Sequence, residues 1–426
     1  MSARALIVAA ARSGSGKTVI TIGLQRALRR QGLVVAGAKL GPDYIDPGFH
    51  AAATGMPSVA LDGFAMSPAT MRGLAAHIAA DTLVAEGTMG LFDGVAGGQG
   101  ATADVARTLN WPVLLVLDAG GSAQTVAALA HGLATYPGGP TVIGAIVNRV
   151  ASDRHGRMIA AGFAQIAIPL LGMIPADARL ALPSRHLGLV QAGETGALDD
   201  RIDAIADVVA AHVDLAAVRA AMVPVTEAPL ATISLRPPGQ RIAVARDAAF
   251  GFLYPHLLDQ WRRSGAEIAF FSPLADQPPP ADCDACWLPG GYPELHAARL
   301  AANRAFLGGL RGFAGAVHGE CGGYMVLGDA IEDADGVSHA MAGLLPIETS
   351  FGRRKLHLGY RRARWRGAVP FASDAETSIG HEFHYATITR DDGEPLADMT
   401  DGEGRAIGSA GSRRGRVTGT FFHLIA

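Results

Sequence analysis

Leu6-Ile7-Val8-Ala9-Ala10 runs directly into Ala11-Arg12-Ser13-Gly14-Ser15-Gly16-Lys17-Thr18. A short apolar run, a glycine turn and then Lys-Thr opening a helical pattern read as strand, loop and helix. In that context the backbone N–H groups of Gly14, Ser15 and Gly16 and the helix N-terminus face a phosphate. Lys17 reaches the outer phosphate oxygens and the Thr18 hydroxyl suits Mg²⁺. The usual phosphate-loop pattern carries glycine at its first position, where this chain has Ala11. A dinucleotide fingerprint fails, because Val19 stands where its third glycine belongs.

Working outward, the first half alternates short apolar runs with helical patterns. Strands are expected at 6–10, 34–38, 82–85, 113–117 and 142–147. Helices are expected at 18–30, 102–109, 123–134, 155–166 and 198–212. Buried strands separated by helices indicate a mostly parallel sheet covered on both faces. The stretch 166–174 is apolar but broken by Pro169 and Gly172. Arg4 followed by Ala5–Ala11 could pass for a short signal peptide, but it leads straight into the phosphate loop, so a buried strand is expected instead. Neither this run nor any other reads as a membrane span.

Pro224, Pro229, Pro237, Pro238 and Gly239 then interrupt the pattern. The expected domains are 1–223 and 240–426, joined by a linker at 224–239. A second strand series follows at 241–245, 267–271, 285–288 and 314–317. From about residue 330 only short, irregular β-like runs are legible.

Composition sets limits. The chain has 426 residues and 49% hydrophobic side chains, enough for two cores. A net charge of −3 and a pI near 6.5 give no global basic field for nucleic acid. Three cysteines are too few for a disulfide scaffold, which fits a reducing cytoplasm. Only three of the 36 Lys and Arg residues are lysines: Lys17, Lys39 and Lys355. A compact ammonium fits between phosphate oxygens where a guanidinium fork does not.

Two segments look like site loops past strand ends, where open α/β sheets bind ligands. One runs Lys39-Leu40-Gly41-Pro42-Asp43-Tyr44-Ile45-Asp46-Pro47; the other is Glu86-Gly87-Thr88-Met89-Gly90-Leu91-Phe92-Asp93-Gly94. Their acidic residues suit a Mg²⁺ shell, and equally they suit turns.

A second chemistry lies at Gly319-Glu320-Cys321-Gly322-Gly323. A strand, a nucleophile on a glycine turn and a helix form the elbow that exposes a reactive side chain. The helix N-terminus is expected to lower the thiol pKa. His423 is the expected base. Backbone N–H groups of Gly291, in Pro289-Gly290-Gly291-Tyr292, and of Gly322 are expected to form an oxyanion hole. Cys283-Asp284-Ala285-Cys286 has no second ligand pair nearby and reads as structural. His381-Glu382-Phe383-His384 lacks the spacing of a metalloprotease helix. The cluster Arg353, Arg354, Lys355, Arg361, Arg362, Arg364 and Arg366 is a solvated face or a dock for a polyanion.

Taken together, KLGPDYIDPGFH (39–50), EGTMGLFDG (86–94), FSPLAD (271–276), LPGGYPELHAARLAAN (288–303), GECGGYM (319–325), GHEFHY (380–385) and His423 resemble the cobyrinic acid and hydrogenobyrinic acid a,c-diamide synthases. The likeness runs nearly end to end. It implies an α/β protein of two domains: an N-terminal, dethiobiotin-synthetase-like P-loop domain and a C-terminal flavodoxin-like class I glutamine amidotransferase domain. The implied partners are ATP with Mg²⁺, L-glutamine and a corrin polyacid amidated at its a and c acetates, with a homodimer as the family expectation. Gly14, Ser15, Gly16, Lys17 and Thr18 match the ATP loop. Thr18, Asp43 and Glu86 match metal positions. Lys39, Tyr44, Ile45, Asp46 and Asp93 match substrate or nucleotide positions, and Cys321 and His423 match the glutaminase pair. Class I amidotransferases place a Glu two residues after the His, where this chain has Ile425; either a Cys–His pair suffices or a carboxylate elsewhere, such as Glu382, substitutes. Two other readings stay open: an amidotransferase on another polycarboxylate, as in cobyric acid synthesis, and a ParA-like switch with an inactive second domain.

Overall fold

The computed structural model describes residues 3–185, 188–189, 191–230, 235–352 and 354–425. The chain forms two compact units, Met1–Ala231 and Thr232–Ala426, each with its own sheet and core.

The first unit is built on seven strands: β1 (Arg4–Ala10), β2 (Val35–Leu40), β3 (Val59–Leu61), β4 (Thr82–Glu86), β5 (Val113–Asp118), β6 (Val142–Val150) and β7 (Leu170–Pro175). They lie in the order β3-β2-β4-β1-β5-β6-β7, and every neighbouring pair is parallel. Residues Ala5 to Ala10 of β1 are all buried, which is why that strand reads as an unbroken apolar run. Helix α1 (Lys17–Arg30) lays Ile20, Leu24 and Leu28 against Leu6 and Val8. Each such side chain removed from water contributes roughly 1.5–3 kcal/mol. Helix Leu198–His212 packs on α1 at Gly23, where an added Cβ would sit 2.5 Å from Val209 Cγ2.

Two differences from expectation have local causes. The broken apolar stretch 166–174 does make a strand, β7. Pro169 sits just outside it and its carbonyl accepts the Ala145 N–H, while Gly172 lets the backbone of His212 come close. The segment after β2 is not all loop: α2 (Asp46–Thr54) starts inside it, with Pro47 in its first turn, where a missing N–H is harmless.

In the second unit Glu267–Phe271, Arg241–Ala245, Ala285–Leu288, Ala316–Glu320 and Val417–Thr420 pair in that order, all parallel. This is the flavodoxin-like order with its last strand delayed. Between the fourth and fifth strands the chain builds an antiparallel extension. Ala406–Arg414, Glu394–Asp401, His357–Trp365, Thr377–His384 and His423–Leu424 continue the same sheet outward from Val417–Thr420. The irregular region past 330 therefore holds strands of up to nine residues. In His357–Trp365, Ala363 and Trp365 are buried and Arg364 is exposed, so the charges masked the alternation. The strand expected at 314–317 runs instead from Ala316 to Glu320, because His318, Gly319 and Glu320 are polar or small yet buried between neighbours.

The chain still pairs where the linker was expected to begin. Val223–Pro224 joins β1 antiparallel, with Pro224 opposite Arg4. Residues 231–234 of that linker, like Arg353 of the basic cluster, lie outside the described residues. Among the described residues no helix is long and apolar enough to cross a membrane.

Burial fixes how the second unit responds to acid. Burial pushes His256 down to about 4 and His318 and His381 down to about 3. Below pH ~6.5 the unfolded chain binds protons at these sites and the folded chain does not, so stability falls as pH drops. Urea midpoints of the full chain should decline from pH 6.5 toward 4. His256→Gln keeps a donor for the Ile425 carbonyl, which His256 Nε2 meets at 2.7 Å. It should flatten that slope by at most about 1.4 kcal/mol per pH unit; an unchanged slope would rule out His256 as a source.

Candidate active sites

At the C-terminal ends of β1, β2 and β4 the phosphate loop meets a buried charge cluster. Gly14 and Gly16 take φ of 78° and 95°, which glycine adopts without strain. A Cβ on Gly16 would also lie 2.3 Å from Asn148 Nδ2. Asn148, at the end of β6, donates to the Ser15 carbonyl at 3.1 Å and clamps the loop. Ala11 has no left-handed backbone, so the missing first glycine imposes no strain. Lys17 Nζ donates to the Met89 carbonyl at 2.6 Å. Its pKa is lowered, chiefly by burial and further by Lys39, against the opposing charge of Glu86.

Register places Lys39 of β2 opposite Glu86 of β4. Glu86 Oε1 accepts from Thr18 Oγ1 at 2.6 Å and lies 3.0 Å from Lys39 Nζ. Its Oε2 accepts from His50 Nε2 at 2.9 Å, and His50 Nδ1 meets Ser58 Oγ at 3.2 Å. Asp46 pairs with Lys39 and stands 3.5 Å from Thr18 Oγ1. Burial alone would raise Glu86, but Lys39 and His50 hold it well below the usual carboxylate range. Burial would lower Lys39, but Asp46 and Glu86 outweigh it and hold the ammonium charged. Burial and the charge of Asp43 push Asp46 up, against the pull of the Lys39 ammonium.

Asp43, expected among the metal ligands, uses Oδ1 to accept the N–H groups of Ile45 and Asp46 at 2.8 and 3.0 Å. Asp46 takes the position beside Thr18 instead. Tyr44 is partly exposed and Ile45 is buried. Asp93 is exposed; its Oδ2 accepts the Gly90 N–H at 2.9 Å and closes the turn that presents the Met89 carbonyl. No group of three or more His, Cys, Asp or Glu side chains among the described residues is arranged to hold a metal alone. Thr18 with Asp46 and Glu86 still fits a hard cation whose remaining ligands are phosphate oxygens and water.

The thiol site stands on a sharp turn. Cys321 has φ 46° and ψ −103°, a strained backbone for a non-glycine residue, between the strand Ala316–Glu320 and the helix Gly322–Leu327. The Cys321 N–H donates to the Thr420 carbonyl at 2.8 Å, and the Gly323 N–H to Pro289 at 3.1 Å. A Cβ on Gly322 would lie 3.1 Å from the Gly291 nitrogen, so these two peptides adjoin at the elbow. His423 lies opposite His381 on neighbouring strands, and their rings stack at 4.9 Å. Gly290 lets His423 and Cys321 come close. The point its Cβ would occupy is 2.4 Å from His423 Cε1 and 3.3 Å from Cys321 Cβ.

The expected low thiol pKa is not what this site produces. Burial, with the charge of Glu294 next, pushes the Cys321 thiol up. The helix behind it has only six residues, too short for a strong terminal field. Burial and His381 hold His423 well below its ordinary value. Burial thus favours the uncharged form of both side chains.

Glu382, the candidate substitute for the missing carboxylate, lies beside an arginine. That side chain pairs with Arg361 at 2.8 Å. Glu320 is the acid beside the base: its Oε1 accepts the Leu424 N–H at 2.9 Å and its Oε2 lies 3.9 Å from His423 Nδ1. Glu320, His50 and Asn148 were not among the expected site residues, although Glu320 and His50 sit inside the quoted motifs. Cys283 and Cys286 pack into the apolar core. Of the basic cluster, Arg361 and Arg366 already face Glu382 and Asp398.

Residues 6–190 match a family described as the CobQ/CobB/MinD/ParA nucleotide binding domain, and residues 241–426 match the CobB/CobQ-like glutamine amidotransferase domain. The hydrogenobyrinate a,c-diamide synthase of Mesorhizobium japonicum is 53% identical over 437 residues, covering 100% of this chain and 99% of its own. The chain belongs to the hydrogenobyrinate a,c-diamide synthase family. The Rhodobacter capsulatus member is 52% identical, covering 99% of both chains. A solved structure titled as a glutamine amidotransferase covers 43% of this chain and 89% of its own, at 20% identity and a TM-score of 0.31. Membership in the family accounts for a nucleotide site and a thiol site on one chain.

Gly290 gives a direct test of the thiol geometry. Gly290→Ala places a methyl against His423 Cε1 and should lower glutamine hydrolysis by about 100-fold, since displacement by an ångström costs that much. Glutamate release measured on folded protein checks it; an unchanged rate would mean Gly290 does not set the pair.

Proposed function

We propose that this chain is a glutamine-hydrolysing, ATP-dependent ligase that amidates the a and c acetate carboxylates of hydrogenobyrinate. The observation that carries the reading is the end-to-end likeness to synthases of that name, on a chain with both a phosphate loop and a cysteine elbow.

In the second unit His423 takes the Cys321 proton as the sulfur attacks the side-chain amide carbon of glutamine. The N–H groups of Gly291 and Gly322 serve the developing oxyanion. His423 returns the proton to the leaving nitrogen, ammonia departs, and water opens the thioester to give glutamate. In the first unit a substrate carboxylate attacks the terminal phosphorus of ATP and ADP leaves. Ammonia then attacks the acyl phosphate, and inorganic phosphate leaves with the carboxylate oxygen.

Lys17 leaves the Met89 carbonyl to meet the terminal phosphate and spread its charge. Gly14, Ser15 and Gly16 present backbone donors to the phosphates. Thr18, Asp46 and Glu86 are the groups that would hold Mg²⁺, which would screen phosphate charge. Lys39 keeps the two carboxylates from repelling one another while they wait. Tyr44, Ile45 and the loop around them would contact the macrocycle.

The two half-reactions separate by mutation. Cys321→Ala should abolish glutamine-dependent synthesis and retain synthesis from ammonium salt; Lys17→Ala should lose both. Mass spectrometry of the macrocycle reads the product, since each step exchanges a hydroxyl for an amino group. Loss of ammonium-driven synthesis in folded Cys321→Ala would sink the division of labour. Faster turnover of the cobalt-bearing macrocycle would reassign the substrate.

A further inference from the structure

Glu320 is 2% exposed, a carboxyl group buried at the end of a strand. Burying such a group is costly unless it is hydrogen-bonded or faces a charge that appears during function. Both conditions are present here. The Leu424 N–H donates to Oε1, and Oε2 points toward His423 Nδ1. The fold holds this arrangement from both sides. Glu320 pairs in register with Thr420, three residues before His423, and the next N–H along, that of Cys321, donates to the Thr420 carbonyl. The carboxylate, the nucleophile and the base are thereby tied to one strand pairing.

We propose that Glu320 is the positioning carboxylate of the glutaminase site, holding His423 through Nδ1 so that Nε2 exchanges the proton with Cys321. The role falls to the residue before the nucleophile, because the position two beyond the histidine is Ile425, whose carbonyl is taken by His256. The gap of 3.9 Å is wider than a hydrogen bond, and such contacts tighten when substrate binds. As the imidazole takes the thiol proton it becomes a cation, and the adjacent carboxylate stabilises it. Burial raises the Glu320 carboxyl to about 8. Acid therefore neutralises the group that His423 needs as an anion. The other ionisable groups facing this pair are His381 on the neighbouring strand, His384 beyond it, the Cys321 thiol, and Glu294 and Glu382, whose charges reach that thiol.

The inference rests on glutamine hydrolysis at Cys321, and the test separates the two. Glu320→Gln is isosteric and its amide oxygen still accepts the Leu424 N–H. In the full-length chain it should lower kcat for glutamate release by about 10- to 100-fold with KM for glutamine unchanged. The acid limb of the kcat–pH profile should move to lower pH, while ammonium-driven synthesis stays at the wild-type level. Glu320→Asp keeps the charge but draws it back from His423; it should retain the acid limb with an intermediate kcat. A wild-type rate and profile in Glu320→Gln overturns the inference. So does a loss shared by the ammonium-driven reaction, which would mark a structural role. If Glu320→Gln does not fold, a Glu320→Asp profile identical to wild type overturns it. Glutamate release that persists in Cys321→Ala would instead overturn the function on which the inference rests.

Discussion

Lys39 is buried, and a buried ammonium cannot stand alone. It is stable only because parallel pairing sets β2 beside β4 and so delivers Glu86 to it, while α2 delivers Asp46. Removing one partner from such a cluster leaves an uncompensated charge and costs about 3–5 kcal/mol. The same pairing sets Thr18, His50 and the phosphate loop around a common point. Sheet register, loop position and electrostatics are thus one constraint in the first unit. A slip of one residue in β2 would turn Lys39 to the other face and break all three.

The second unit relies on a different constraint. Cys321 is held at a backbone angle that its own chemistry does not favour. The strain persists because neighbours over-determine the turn: Thr420 and Pro289 take its N–H groups, and Gly291 lies against Gly322. Those neighbours come from segments far apart in sequence. Cys321 and His423 meet only once Val417–Thr420 has joined the sheet, after the whole antiparallel extension has been traversed. Such non-local closure is slow to form.

Legibility in the sequence follows the range of the interaction. The strand, loop and helix from Leu6 to Arg30 were readable because apolar run, glycines and Lys17-Thr18 are adjacent in the chain. The elbow at Cys321 was readable for the same reason. By contrast, Asp43 and Asp46 look alike in a segment dense with Pro and Gly. Only the start of α2 shows that one caps the backbone and the other reaches Thr18. Glu382 was the carboxylate the sequence offered beside His423, and nothing local marked Glu320. Pairing shows where each lies: Glu382 meets Arg361, while Glu320 comes within 3.9 Å of His423 Nδ1. The low thiol pKa expected from the helix behind Cys321 failed because burial outweighs a helix of under two turns.

The buried thiol also has a consequence for the enzyme's durability. Peroxides and alkylating agents attack thiolates, and they attack those that solvent reaches. Cys321 is 3% exposed, and burial pushes its thiol up, toward the protonated form. Both the depth and the proton work against such reagents. A cysteine at this depth is screened from oxidants that modify exposed thiols.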